Sequence, residues 1–141
     1  GQTVEATAAD AVLLIGDRAM APRREEFAFT WDLGAAWRRW TGLPFVFAMW
    51  IAREGVEGAA LGRLLARARD EGQRQLEMIA RNEAEGVGIP EAECLAYLRE
   101  NLVFRLDDRQ RQGLQQFYRL AVEHGLAPEG VRFVFQDPQA A

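Results

Sequence analysis

The triplet Gly16-Asp17-Arg18 is the sharpest chemical feature of the sequence. It follows a continuous apolar run, Ala11-Val-Leu-Leu-Ile15, of the kind that forms a strand buried on both faces. A carboxylate and a guanidinium placed directly after such a strand lie at its C-terminal edge, which in open α/β sheets faces the ligand crevice. The same residues equally suit an Asp-capped turn that starts a helix. Other reactive side chains are scarce. His124 comes one residue before Gly125, in the last turn of an expected helix, where a structural or surface role is expected. Cys94 lies between Glu93 and Leu95 with no basic neighbour to make a thiolate, so a buried, inert thiol is expected. Trp31, Trp37, Trp40 and Trp50 fall within one short stretch and can either line an aromatic ligand's pocket or pack a core.

Absences narrow the chemistry further. The 141 residues include no lysine and no serine, one cysteine and one histidine. Serine nucleophiles, P-loop Gly-Lys pairs, Schiff-base lysines, zinc clusters and intrachain disulfides are therefore excluded, and no metal site is expected. All 17 basic residues are arginine, which grips carboxylates in a planar, bidentate way but cannot abstract a proton. A net charge of −4 implies no basic face for nucleic acid or an anionic membrane. No run is long and apolar enough to span a bilayer, and the opening residues lack the pattern of a signal peptide, so a cytoplasmic setting is expected.

The elements that would position these residues follow from pattern. Strands are expected at 11–15, at 27–31 where large rings alternate with small residues, at 44–52 and at 131–135. Asp32 is placed to cap a short helix over 33–40 that Thr41-Gly42 closes. The longest apolar periodicity predicts one helix from about 57 to 85, with Leu61, Leu64, Leu65 and Ile79 on one side and a solvated charged face opposite. Gly86 and Gly88 end it, and Pro90 opens the next helix, to about 100. A brief extended link over 102–106 leads to Asp107, which caps a last helix from 108 to about 124, terminated by Gly125. The order β, β, α, β, α, α, α, β predicts an α/β fold, or α+β with its helices gathered late.

Two longer segments carry a family resemblance. Ala11-Val-Leu-Leu-Ile-Gly-Asp-Arg-Ala-Met20, followed by Trp31-Asp-Leu-Gly-Ala-Ala-Trp-Arg-Arg-Trp-Thr-Gly-Leu-Pro-Phe-Val-Phe-Ala-Met-Trp50, resembles the chorismate dehydratases of the futalosine route to menaquinone. Downstream, Glu93-Cys-Leu-Ala-Tyr-Leu98 and Gly113-Leu-Gln-Gln-Phe-Tyr-Arg-Leu-Ala121 are similar to that family's C-terminal region. The resemblance covers essentially the whole chain and corresponds to about the second half of a family member.

The resemblance implies a two-lobed fold like that of the type II periplasmic binding proteins. Residues 1–21 would finish the second lobe and its hinge crossover, and 22–141 would form the C-terminal part of the first lobe. It also implies a lyase step in which chorismate loses water to give 3-[(1-carboxyvinyl)oxy]benzoate, with no metal or organic cofactor. Arg18 and backbone N–H groups around Gly16 would hold substrate carboxylates, and Asp17 would orient a partner or move a proton. Thr41, Gly42, Leu43 and Pro44 would border the same cleft. The partners implied are a small carboxylate substrate, chorismate, and an N-terminal half of the same protein, which in the family carries an asparagine and a serine of the active site. The 1,4-dihydroxy-6-naphthoate synthase of the same pathway shares a Thr-Gly-Leu-Pro segment, but a histidine is expected near Gly16-Asp17 for its acid/base work, and none is present. A non-catalytic lobe that binds small carboxylates is the remaining alternative.

Overall fold

The computed structural model describes residues 8–16, 19 and 27–135. They belong to two compact units, one drawn from residues 1–30 and 74–102 and the other from 31–73 and 103–141. The expected lobe boundary at 21–22 lies outside the described residues.

In the second unit, α1 spans Leu33–Thr41. Asp32 caps it as expected: its carboxylate accepts from the backbone N–H of Ala35 at 2.9 Å, satisfying a donor that has no partner within the helix. Gly42 ends it in the left-handed region, at φ 72°, and its N–H donates to Arg38 O. The helix α2, Gly58–Arg74, and the helix α5, Asp108–Glu123, complete this unit. Asp107 caps α5 through its carboxylate, which accepts from the N–H groups of Arg109 and Gln110. The expected terminus is met within a residue, with Gly125 at φ 67°.

The core of this unit is aromatic. Trp37 is buried and meets Trp40, Phe45 and Phe117 edge-to-face at centroid distances of 5.7–5.8 Å. Phe45 in turn packs on Phe47 and Phe117. Such edge-to-face pairs contribute about 0.5–1.5 kcal/mol each beyond the area they bury. Of the four tryptophans only Trp37 is buried; Trp31, Trp40 and Trp50 are 70–83% exposed. Leu33 and Leu64 are exposed as well, so the apolar stripes of α1 and α2 are only partly covered.

The first unit is built on α3, Leu76–Val87, and α4, Glu91–Ala96, which continues as one π-helical turn over Tyr97–Asn101. Gly88 takes φ 79° and donates back to Ala84 and Glu85, and Ile89 N–H also bonds Ala84 O. That left-handed cap turns the chain so that Ile89 enters the core with Ala80, Ala84 and Cys94. The cysteine is therefore buried, as expected. Exposed pairs Arg99–Glu77 at 2.8 Å and Arg81–Glu91 at 3.7 Å lie over the same helices. Pairs this exposed add at most about 1 kcal/mol each.

Two expectations are corrected. The single helix over 57–85 is two, because Gln75 leaves helical geometry at φ −112°, ψ 19°. The periodicity runs on across this one-residue break, which lies two residues after the end of the second unit's stretch at Gln73. The strands expected at 11–15, 27–31, 44–52 and 131–135 form no ladder among the described residues. Alternation specifies a pleated, half-buried surface, but a strand exists only beside a hydrogen-bonded neighbour about 4.8 Å away, and the described residues supply none.

Candidate functional site

The best-defined part of the expected site is the turn Thr41–Pro44. Its residues follow α1 directly, so the left-handed Gly42 sets the direction in which the chain leaves the helix. The Thr41 hydroxyl donates to Trp37 O at 2.8 Å and accepts from Leu43 N–H at 3.1 Å. The hydroxyl proton is thereby spent on α1 and the hydroxyl oxygen on Leu43, so this group ties the turn to the helix. Trp37 Nε1 donates to Pro44 O at 3.3 Å. Arg109 Nη2, from the first turn of α5, donates to Gly42 O at 2.7 Å.

Gly113 of α5 faces the same turn. A Cβ built there would overlap Pro44 O and lie 3.7 Å from Leu43 Cβ, so only glycine lets the helix backbone come this close. Leu43 then forms one wall of an open groove of about 350 Å³, with Gln112, Gln115, Gln116 and Arg119 of α5 along the other. Arg119 is held within the helix: Nε and Nη2 share Gln116 Oε1 at 3.3 and 2.9 Å, and Nη1 meets Glu123 at 3.1 Å. Amides and a tied guanidinium can bind a polar ligand by hydrogen bonding. They contain no nucleophile and no general base.

Asp17 and Arg18 lie outside the described residues. Gly16, directly after the apolar run, sits at φ 65° and its carbonyl accepts from Ala19 N–H at 2.8 Å. It belongs to the first unit, whereas Thr41–Pro44 belongs to the second. His124 caps the end of α5 on the exposed surface, as expected. No group of three metal-ligating side chains occurs among the described residues, and no helix among them is long and apolar enough to cross a membrane.

Sequence reasoning missed Arg109 and Gly113. A glycine inside an otherwise helical pattern is a signal of close packing, and Gly113 carried it. For Arg109 a weaker signal existed: a cation in the first turn of a helix opposes the dipole and so calls for a compensating contact.

A chorismate dehydratase of Thermus thermophilus is 35% identical to this chain over 128 residues, covering 79% of the chain and 47% of that protein. The chain thus spans about half the length of that relative. No solved structure matches it. A family model described as menaquinone biosynthesis matches residues 1–123. With so much of its length matched, and with a dehydratase of that kind as a relative, the chain belongs to the menaquinone biosynthesis family.

Proposed function

We propose that this chain is part of an enzyme that dehydrates chorismate to 3-[(1-carboxyvinyl)oxy]benzoate on the futalosine route of menaquinone biosynthesis. The observation that carries the reading is its 35% identity to a chorismate dehydratase. In the reaction a ring C–H proton and the ring hydroxyl leave together as water, and the ring becomes aromatic. No oxidant or cofactor is needed to balance it.

Within this reading Arg18 and the backbone around Gly16 hold substrate carboxylates, because an arginine fork matches a carboxylate. Asp17 moves or directs the proton. The Thr41–Pro44 turn acts as a preset wall, consistent with Leu43 N–H already committed to Thr41 Oγ1 inside it and with the Thr41 hydroxyl and Gly42 N–H tied back to α1. A two-lobed fold like that of the periplasmic binding proteins goes with the proposal, and so does an N-terminal half that completes the site. The extended stretch after Pro44 supports it: Phe47, Trp50 and Ile51 are 63–83% exposed, an apolar surface that a neighbouring strand would cover. A single cysteine fits a reducing, cytoplasmic setting.

Chromatographic analysis of chorismate incubated with the complete protein is the test. The expected result is the carboxyvinyloxy benzoate, with turnover reduced at least a hundredfold in Asp17→Ala while thermal unfolding stays unchanged. Inertness toward chorismate overturns the reading. Unchanged turnover in Asp17→Ala removes that residue from the mechanism.

A further inference from the structure

We propose that Arg109 is a positioning residue of the candidate site, fixing the orientation of the peptide plane between Gly42 and Leu43. The inference rests on the reading of Thr41–Pro44 as a wall of the substrate site. That peptide is held from both sides. Its carbonyl accepts from Arg109 Nη2 at 2.7 Å, and its N–H donates to Thr41 Oγ1 at 3.1 Å. Rotation of this peptide plane changes ψ of Gly42 and φ of Leu43, and a glycine, having no Cβ, restrains its ψ less than any other residue does. Holding both of its polar ends removes that freedom. It also fixes where Leu43 projects, and Leu43 lines the groove beside α5.

The placement of Arg109 supports a dedicated role. Its backbone N–H is tied to the Asp107 carboxylate at 2.8 Å, so the side chain starts from a fixed point in the first turn of α5. A guanidinium there opposes the helix dipole, a cost that the bond to a carbonyl offsets. The contact joins residues 67 apart in the sequence and lies within one compact unit. Thr41 acts only within α1 and the turn that follows it. Arg109 and the glycine contact at position 113 couple that turn to α5.

The test compares Arg109→Ala and Arg109→Lys in the complete protein. In Arg109→Ala the KM for chorismate should rise about tenfold with kcat within about twofold, as for loss of an interaction made equally in ground and transition states. Arg109→Lys retains a cationic donor and should recover most of the loss. On the 141-residue chain, the carbonyl ¹³C resonance of Gly42 and the amide resonance of Leu43 should shift in Arg109→Ala and return toward wild type in Arg109→Lys. Shifted resonances with unchanged KM would overturn the positioning role, and unshifted resonances would overturn the contact itself. If the wild type does not turn over chorismate, the reading of the site has failed, and the resonances alone then decide whether Arg109 holds the peptide.

Discussion

Gly113 and Pro44 meet backbone against backbone. The glycine lies in the middle of α5 and the proline closes the turn after α1, and a methyl group on the first would occupy the carbonyl oxygen of the second. The same carbonyl already accepts from Trp37 Nε1, so it cannot simply swing away. Two helices and the candidate turn are thus brought together at one point by the absence of a side chain.

Gly113→Ala should therefore destabilise the protein by about 1–3 kcal/mol, the usual cost of forced overpacking. An ordinary helical Gly→Ala change goes the other way by about 1 kcal/mol. Gly62→Ala, inside α2 with open space around the position, should show that ordinary gain. Urea unfolding of both variants separates the effects. A stabilised Gly113→Ala would mean that α5 and the turn do not touch as described.

Trp37→Phe keeps a ring in the aromatic core but removes the bond from Nε1 to Pro44 O. A loss of about 1 kcal/mol from the bond, with somewhat more from the smaller ring, is expected in chemical denaturation. Trp37→Ala should cost about 3–5 kcal/mol, since it empties the centre of the edge-to-face cluster.

Tyr118 joins two points of the chain beyond α5. Its hydroxyl donates to Pro128 O at 2.7 Å and accepts from Val131 N–H at 2.9 Å, and its ring meets Phe133 edge-to-face. In Tyr118→Phe the amide of Val131 should exchange with solvent roughly tenfold faster, while amides of α1 remain protected. Global stability should fall by only about 1 kcal/mol, because the bonds lie at the surface.

Ile89→Ala tests the first unit. Ile89 is 6% exposed against Ala80, Ala84 and Cys94, where small neighbours leave little to collapse into a void. A loss of about 2–5 kcal/mol is expected in thermal or urea unfolding. Gly88→Ala should destabilise the same unit through its left-handed backbone, with no cavity made.

The parts of the fold legible in the sequence were those decided by neighbouring residues. Asp32 and Asp107 cap helices, and Gly42, Gly88 and Gly125 turn the chain through positive φ, because each needs only a few residues on either side. The break at Gln75 was not legible, since one non-helical residue leaves the apolar spacing intact. The expected strands remained unpaired for a related reason: pattern specifies a face, and pairing depends on what lies beside it. In the candidate site the turn was legible from Thr41-Gly42-Leu43-Pro44, but Arg109, which holds it from α5, is 67 positions away in the chain. Contacts of that range leave no mark on local spacing.

The burial of Cys94 has a practical side. It is the only cysteine of the chain and lies in the first unit, whereas all four tryptophans lie in the second. Thiol labelling and indole emission consequently report on different parts of the molecule, with no engineered probe required. A reagent reaches the thiol only when α3 and α4 part, and emission changes only when the surroundings of α1 and its flanking segments change. Recorded together along one denaturation series, the two signals read the order in which the two units unfold.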